Sequence, residues 1–151
     1  MYFKAFILLL FCGLVYYFFF SPSYKLANDA KEAYTKQNYE LAYTLANDAL
    51  KEDLYNKKAF SISSQAKQRI QIQKFLESSE NLYKNALALL NQTSLTEQEF
   101  LQLKWICEEF NAKREELTFF NNPTQEEAKN IQAYTNWFKD LESKLQKTKQ
   151  P

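Results

Sequence analysis

The side chains able to do chemistry are few. The chain has two cysteines, Cys12 and Cys107, no histidine, and one glycine, Gly13. Without histidine there is no imidazole base, no histidine-based triad and no imidazole metal ligand. Without a glycine-rich loop there is no backbone cradle for a phosphate. Cys107 follows Ile106 and precedes Glu108-Glu109. A nucleophilic thiolate needs a neighbouring base or a helix amino terminus. The sequence supplies neither, so a buried structural thiol is expected. The carboxylate pairs Glu108-Glu109, Glu115-Glu116 and Glu126-Glu127 are adjacent in sequence. Adjacent side chains on a helix diverge and do not converge on one ligand. They read as solvated faces. No catalytic, cofactor or metal site is expected, and the chain reads as non-enzymatic.

The elements that would position any site must be helices. One glycine and three prolines leave few tight hairpins. Nineteen basic and 18 acidic residues give a net charge of +1. That balance lacks the basic face a nucleic acid would need, and no small-molecule substrate is indicated. The cysteines lie far apart, one of them in an apolar run, which argues against a disulfide framework.

Residues 5–20, AFILLLFCGLVYYFFF, carry no charge. As a helix they span about 24 Å, against a hydrocarbon core of about 30 Å. Tyr2, Phe3 and the stem of Lys4 can extend the span. The run ends FFFSPS, without the small residues a signal-peptide cut needs. Phe11 before Cys12 does not fit a lipoprotein site. An uncleaved transmembrane anchor over residues 1–20 is therefore expected, with residues 21–23 as linker and cap. The short basic amino end favours export of the domain beyond the anchor.

Ser21-Pro22 suits a helix start. Leu26, Ala27, Ala30, Ala33 and Tyr34 recur at helical spacing to about Lys36. Asn38 can cap a second helix over about Tyr39–Asp53, with Leu41, Ala42, Leu45, Ala46, Ala49 and Leu50 as its stripe. YKLANDAKE and YTLANDALKE then become two sides of one antiparallel hairpin, in which paired alanines let the backbones approach. From Asn56 to Leu90 the stripe Phe60, Ala66, Ile70, Phe75/Leu76, Tyr83, Ala86 and Leu90 makes one long helix, or two broken near Ser78-Ser79. Thr96–Glu99 is a capping box with Leu95 and Phe100 as its staple. Its helix runs on through Leu103, Ile106, Cys107, Phe110, Arg114 and Leu117 and stops at Asn121-Asn122-Pro123. Thr124–Glu127 is a second capping box. Ile131, Tyr134, Phe138, Leu141 and Leu145 come next at coiled-coil-like spacing, a seam that closes the bundle or binds a partner. The helical domain is placed at 24–145 and a frayed tail at 146–151.

The stretch NYELAYTLANDALKEDL, residues 38–54, resembles the second helix of a tetratricopeptide repeat. Tyr39, Ala42, Ala49, Leu50 and Asp53 match that pattern in order and spacing. Leu54 stands where proline is usual, and Tyr34 of the preceding helix is one residue out of register. The likeness covers residues 24–60 at most, with no second copy further along the chain. Together with the anchor read from residues 1–20, it implies an all-α fold: a single transmembrane helix, then a small bundle with one tetratricopeptide-like hairpin. The first helix of each such repeat faces a concave groove, which here would present Lys25, Asn28, Lys31 and Thr35, joined by Lys57. That row is either an ordinary charged helix face or a surface that receives an acidic or carboxyl-terminal peptide.

Taken with the expected anchor, the likeness implies a membrane-anchored protein-interaction module at a bacterial inner membrane, its domain on the periplasmic side. Such proteins act as chaperones or assembly factors for larger membrane complexes, the flagellar motor among them. Its partners would be other membrane proteins, and lipid through residues 1–20. The alternative is a homo-oligomeric scaffold.

Overall fold

Helix boundaries track the stop and start signals of the sequence closely. The computed structural model describes residues 2–92, 95–119 and 121–148. It contains α1 Tyr2–Phe20, α2 Pro22–Thr35, α3 Tyr39–Glu52, α4 Lys57–Leu90, α5 Glu97–Glu116 and α6 Gln125–Thr148. No strand occurs among the described residues, so the all-α expectation holds.

The transmembrane expectation does not. Among the described residues no helix is long and apolar enough to cross a membrane. The physical reason lies in α1. Its charge-free run of about 24 Å falls short of the roughly 30 Å hydrocarbon core. The 1–20 anchor, and the single-pass arrangement built on it, are withdrawn. The side chains of α1 from Phe6 to Phe11 are exposed, as are Cys12, Val15 and Tyr16.

The chain divides into two compact units, Met1–Ile70 and Gln71–Pro151. In the first, α2 and α3 form the expected hairpin. Ala27, Ala30, Ala42, Ala46, Ala49, Ala59 and Ala66 are all 0% exposed, so methyl groups line the contact and the backbones come close. The turn between the helices is a Schellman motif. Asn38 N–H donates to Ala33 C=O at 3.0 Å and Gln37 N–H donates to Tyr34 C=O at 3.0 Å. Glycine is usual at the left-handed position. Here Gln37 occupies it with φ 61°. Asn38 ends one helix and starts the next, its Oδ1 accepting from Leu41 N–H at 3.3 Å. Ser21 stands at the amino end of α2 as expected, but its hydroxyl makes no capping bond; Pro22 holds the first helical position.

α4 is one unbroken helix of 34 residues. It continues through Ser78-Ser79, where the Ser79 hydroxyl, buried at 1% exposure, is satisfied by donating back to Phe75 C=O at 2.7 Å. Its buried stripe changes register, however. Ala59, Ile62, Ala66 and Ile70 keep helical spacing, and so do Ile72, Phe75, Leu82 and Ala86. Ile70 and Ile72 are only two apart, a step no continuous helical stripe contains. The division between the units falls there. Phe60, expected inside, is 64% exposed, because Ala59 and Ile62 hold the buried phase.

The second unit packs the carboxyl half of α4 against α5 and α6 around an aromatic core. The rings of Phe110 and Phe138 stack at 4.1 Å, with Phe75 5.8 Å from Phe110 and Trp137 4.9 Å from Phe138. Burying each phenylalanine contributes about 2–3 kcal/mol. Both capping boxes form. Thr96 N–H donates to Glu99 Oε2 at 2.8 Å, and Thr124 N–H to Glu127 Oε2 at 2.7 Å. Ile131, Phe138, Leu141 and Leu145 are buried in this core, so the α6 seam is an internal one. Of the expected frayed tail, 146–148 belong to α6; 149–151 lie outside the described residues.

Candidate functional site

The candidate surface belongs to the first unit, and a buried polar network holds its helices in place. Ser23 and Asn56 are each 1% exposed. Asn56 Nδ2 donates to Ser23 Oγ at 2.8 Å, and Ser23 Oγ donates to Ala49 C=O at 2.8 Å. Asn56 Oδ1 accepts from Ala59 N–H at 3.1 Å, which caps α4. Three helices are thus tied by two side chains, with each of these polar atoms satisfied. Further along, Ser63 donates to Asn47 Oδ1 at 2.9 Å, and Arg69 Nε donates to the Tyr34 hydroxyl at 3.4 Å.

On this frame the five expected residues are all exposed. Lys25, Asn28, Lys31 and Thr35 share the outer side of α2, opposite Ala30 and Ala33. Thr35 turns its hydroxyl inward to Glu32 C=O at 2.8 Å. Lys57 is exposed at the start of α4; its neighbour Lys58, and not Lys57, reaches α2, its ammonium donating to Asn28 Oδ1. Helical phase is the reason, since Lys57 and Lys58 point roughly 100° apart. The packing of α4, which nothing in residues 57–60 announces, selects between them.

The charges on this hairpin fall into two groups. Lys36 is paired with Glu32 at 2.6 Å and Lys51 with Asp48 at 2.7 Å. The hydrogen bond and charge of Lys36 hold the Glu32 carboxyl below its ordinary range. Those of Asp48 hold the Lys51 ammonium above its own. Lys25, Lys31 and Lys57 make no such pair. Their ammonium groups are available to an outside carboxylate.

Nothing comparable to a reaction centre is assembled elsewhere among the described residues. Cys107 is 3% exposed, and burial, followed by the charges of Glu142 and Glu108, pushes its thiol up to about 11. At neutral pH it is a protonated core residue, as its sequence setting implies. Among the described residues no group of three cysteine or carboxylate side chains is placed to hold a metal ion. A cleft of about 230 Å³ in the second unit is lined by Gln71, Lys74, Phe75, Ser78, Lys113 and Glu116, together with Leu117.

Compared with protein-family models, curated proteins and solved structures, the chain matches none. The tetratricopeptide likeness therefore rests on the residues themselves.

Proposed function

We infer that the chain is a non-catalytic protein-binding module with an assembly or chaperone role, whose α2 face receives an acidic or carboxyl-terminal segment of another protein. One observation carries this reading. Lys36 and Lys51 are neutralised by Glu32 and Asp48, while Lys25, Lys31 and Lys57 are exposed and make no such pair, with Lys58 bonded to Asn28 among them. Rigid helices hold them, so a ligand carboxylate would meet positioned donors without ordering a loop.

The test is a titration of the full chain against a labelled acidic peptide with a free carboxyl terminus, read by fluorescence anisotropy. Saturable binding is expected, weakened by salt and lost when Lys25, Lys31 and Lys57 are all changed to serine. Circular dichroism would check that this variant keeps its helices. Equal binding by wild type and variant would refute the assignment of the face.

A further inference from the structure

The second unit carries another surface, of opposite charge. α5 is apolar on two sides. One side holds Leu103, Ile106, Cys107 and Phe110 in the core. The other holds Leu101 and Trp105, which are 57% and 60% exposed, with exposed Ala112 two turns beyond Trp105. Leu101, Trp105 and Ala112 show 4-7 spacing and make one stripe. An outward tryptophan with a leucine one turn before it is an anchor of the kind that concentrates binding energy.

The edges of the stripe decide what fits. Glu97, Glu108 and Glu115 line one side at helical spacing, and Glu109 and Glu116 line the other. Of these, Glu109 is paired with Lys113 at 3.5 Å, and Lys104 stands on the edge of Glu97, Glu108 and Glu115, one turn before Glu108; the carboxylates outnumber the cations on both edges. The helix as a whole carries six carboxylates against three cations. A second copy of the chain presenting the same face would bring glutamates against glutamates, which disfavours self-docking. An extended peptide would find no strand edge, since no strand exists among the described residues.

We propose that the Leu101–Trp105–Ala112 face of α5 docks a basic amphipathic helix of a partner protein. The partner's apolar stripe covers Trp105, and its flanking lysines or arginines meet the two rows of glutamates. The adjacent carboxylate pairs of α5 then have a use: one member of each pair falls on each edge of the stripe. This face is distinct from the α2 face and stands or falls separately from it.

The test uses a fluorescently labelled amphipathic 18-residue Leu/Lys peptide as probe, titrated with the full chain. Saturable anisotropy is expected. Trp105→Ala and Leu101→Asp should each weaken binding by about tenfold or more. The pair Glu108→Lys and Glu115→Lys should weaken it by a similar factor. Lys25→Ser with Lys31→Ser should leave it unchanged. Because Leu101 and Trp105 are exposed, these variants keep their core, which circular dichroism would verify. The proposal is overturned if Trp105→Ala binds as wild type does, or if a Leu/Glu peptide binds equally well. It is also overturned if sedimentation shows a homodimer that Trp105→Ala dissolves, since the occupant would then be a second copy.

Discussion

Asn56→Ala should be among the most damaging side-chain truncations in the first unit. The side chain is 1% exposed and makes two bonds, to Ala59 N–H and to Ser23 Oγ. Loss of the cap, which leaves the Ala59 N–H buried without an acceptor, costs about 1–2 kcal/mol, and loss of the donor to Ser23 Oγ costs about 1–2 kcal/mol more. Ala49 C=O is not orphaned, because it also accepts from Asp53 N–H at 3.0 Å. The sum is about 2–4 kcal/mol, or roughly 5–15 °C in melting temperature for a chain of this size. Urea unfolding monitored by far-ultraviolet circular dichroism would measure it. Ser23→Ala should cost less, about 1 kcal/mol, and the double variant should cost less than the sum, since either change already breaks the shared bond. Asn56→Asp keeps the capping oxygen but buries a carboxylate. Burial raises its folded pKa above the unfolded value, so its deficit should be full at neutral pH and shrink as the pH falls through that raised pKa. An Asn56→Ala variant within about 0.5 kcal/mol of wild type, or strict additivity with Ser23→Ala, would refute the network argument.

Gln37→Gly should stabilise the α2–α3 turn by about 0.5–1 kcal/mol, because glutamine holds φ 61° at the position where glycine has no penalty; Gln37→Val should destabilise it, and melting curves of both would show the sign. With iodoacetamide at neutral pH, Cys12, which is exposed, should be alkylated in the native chain, whereas Cys107 should react only after denaturation; mass spectrometry of the labelled peptides distinguishes them. Thr96 hydrogen bonds hold the Glu99 carboxyl below its ordinary value of 4.5. A depressed folded pKa means the capping box is intact above the carboxylate range and is lost as the pH falls through that lowered value, so α5 should fray at its start on acidification; the Thr96 amide resonance would report it, and Glu99→Gln should abolish the response.

What is legible in the sequence is local. The caps at Asn38, Thr96 and Thr124 are side-chain to backbone bonds spanning three residues, and they form where the residues stand. The α2–α3 hairpin is readable because Leu-Ala-x-x-Ala recurs across a short polar turn. Less legible is anything set by which neighbour a helix meets. Phe60 fits a helical stripe on spacing alone, yet the phase belongs to Ala59 and Ile62. Lys58 rather than Lys57 reaches Asn28 for the same reason. The Ser23–Asn56 bond joins residues 33 apart; an Asn before Lys-Lys-Ala-Phe suits a cap, but nothing local announces its partner. Trp105 escapes a reading by spacing because an apolar residue in an amphipathic helix is ordinarily assigned to the core face, and α5 has two apolar faces.

A net charge of +1 conceals two surfaces of opposite sign. On α2 the ammoniums of Lys25 and Lys31 outnumber the exposed carboxylate of Asp29, and on the outer side of α5 carboxylates predominate. Net charge governs long-range behaviour, but at physiological salt a charge is felt over only about 8 Å. Each face therefore acts by its own local sign, and the near-neutral total prevents neither. The two faces also differ in how affinity would arise. The α2 face offers positioned cations and little apolar area, so binding there would depend steeply on ionic strength. The α5 face offers a buried-anchor geometry around Trp105, with the glutamates selecting among apolar partners by charge, and so would keep more of its affinity as salt rises. An all-helical chain with almost no glycine has few mobile loops with which to reshape a site. What it can offer is fixed spacing of side chains along rigid rods, which suits recognition of another protein's surface better than enclosure of a small substrate.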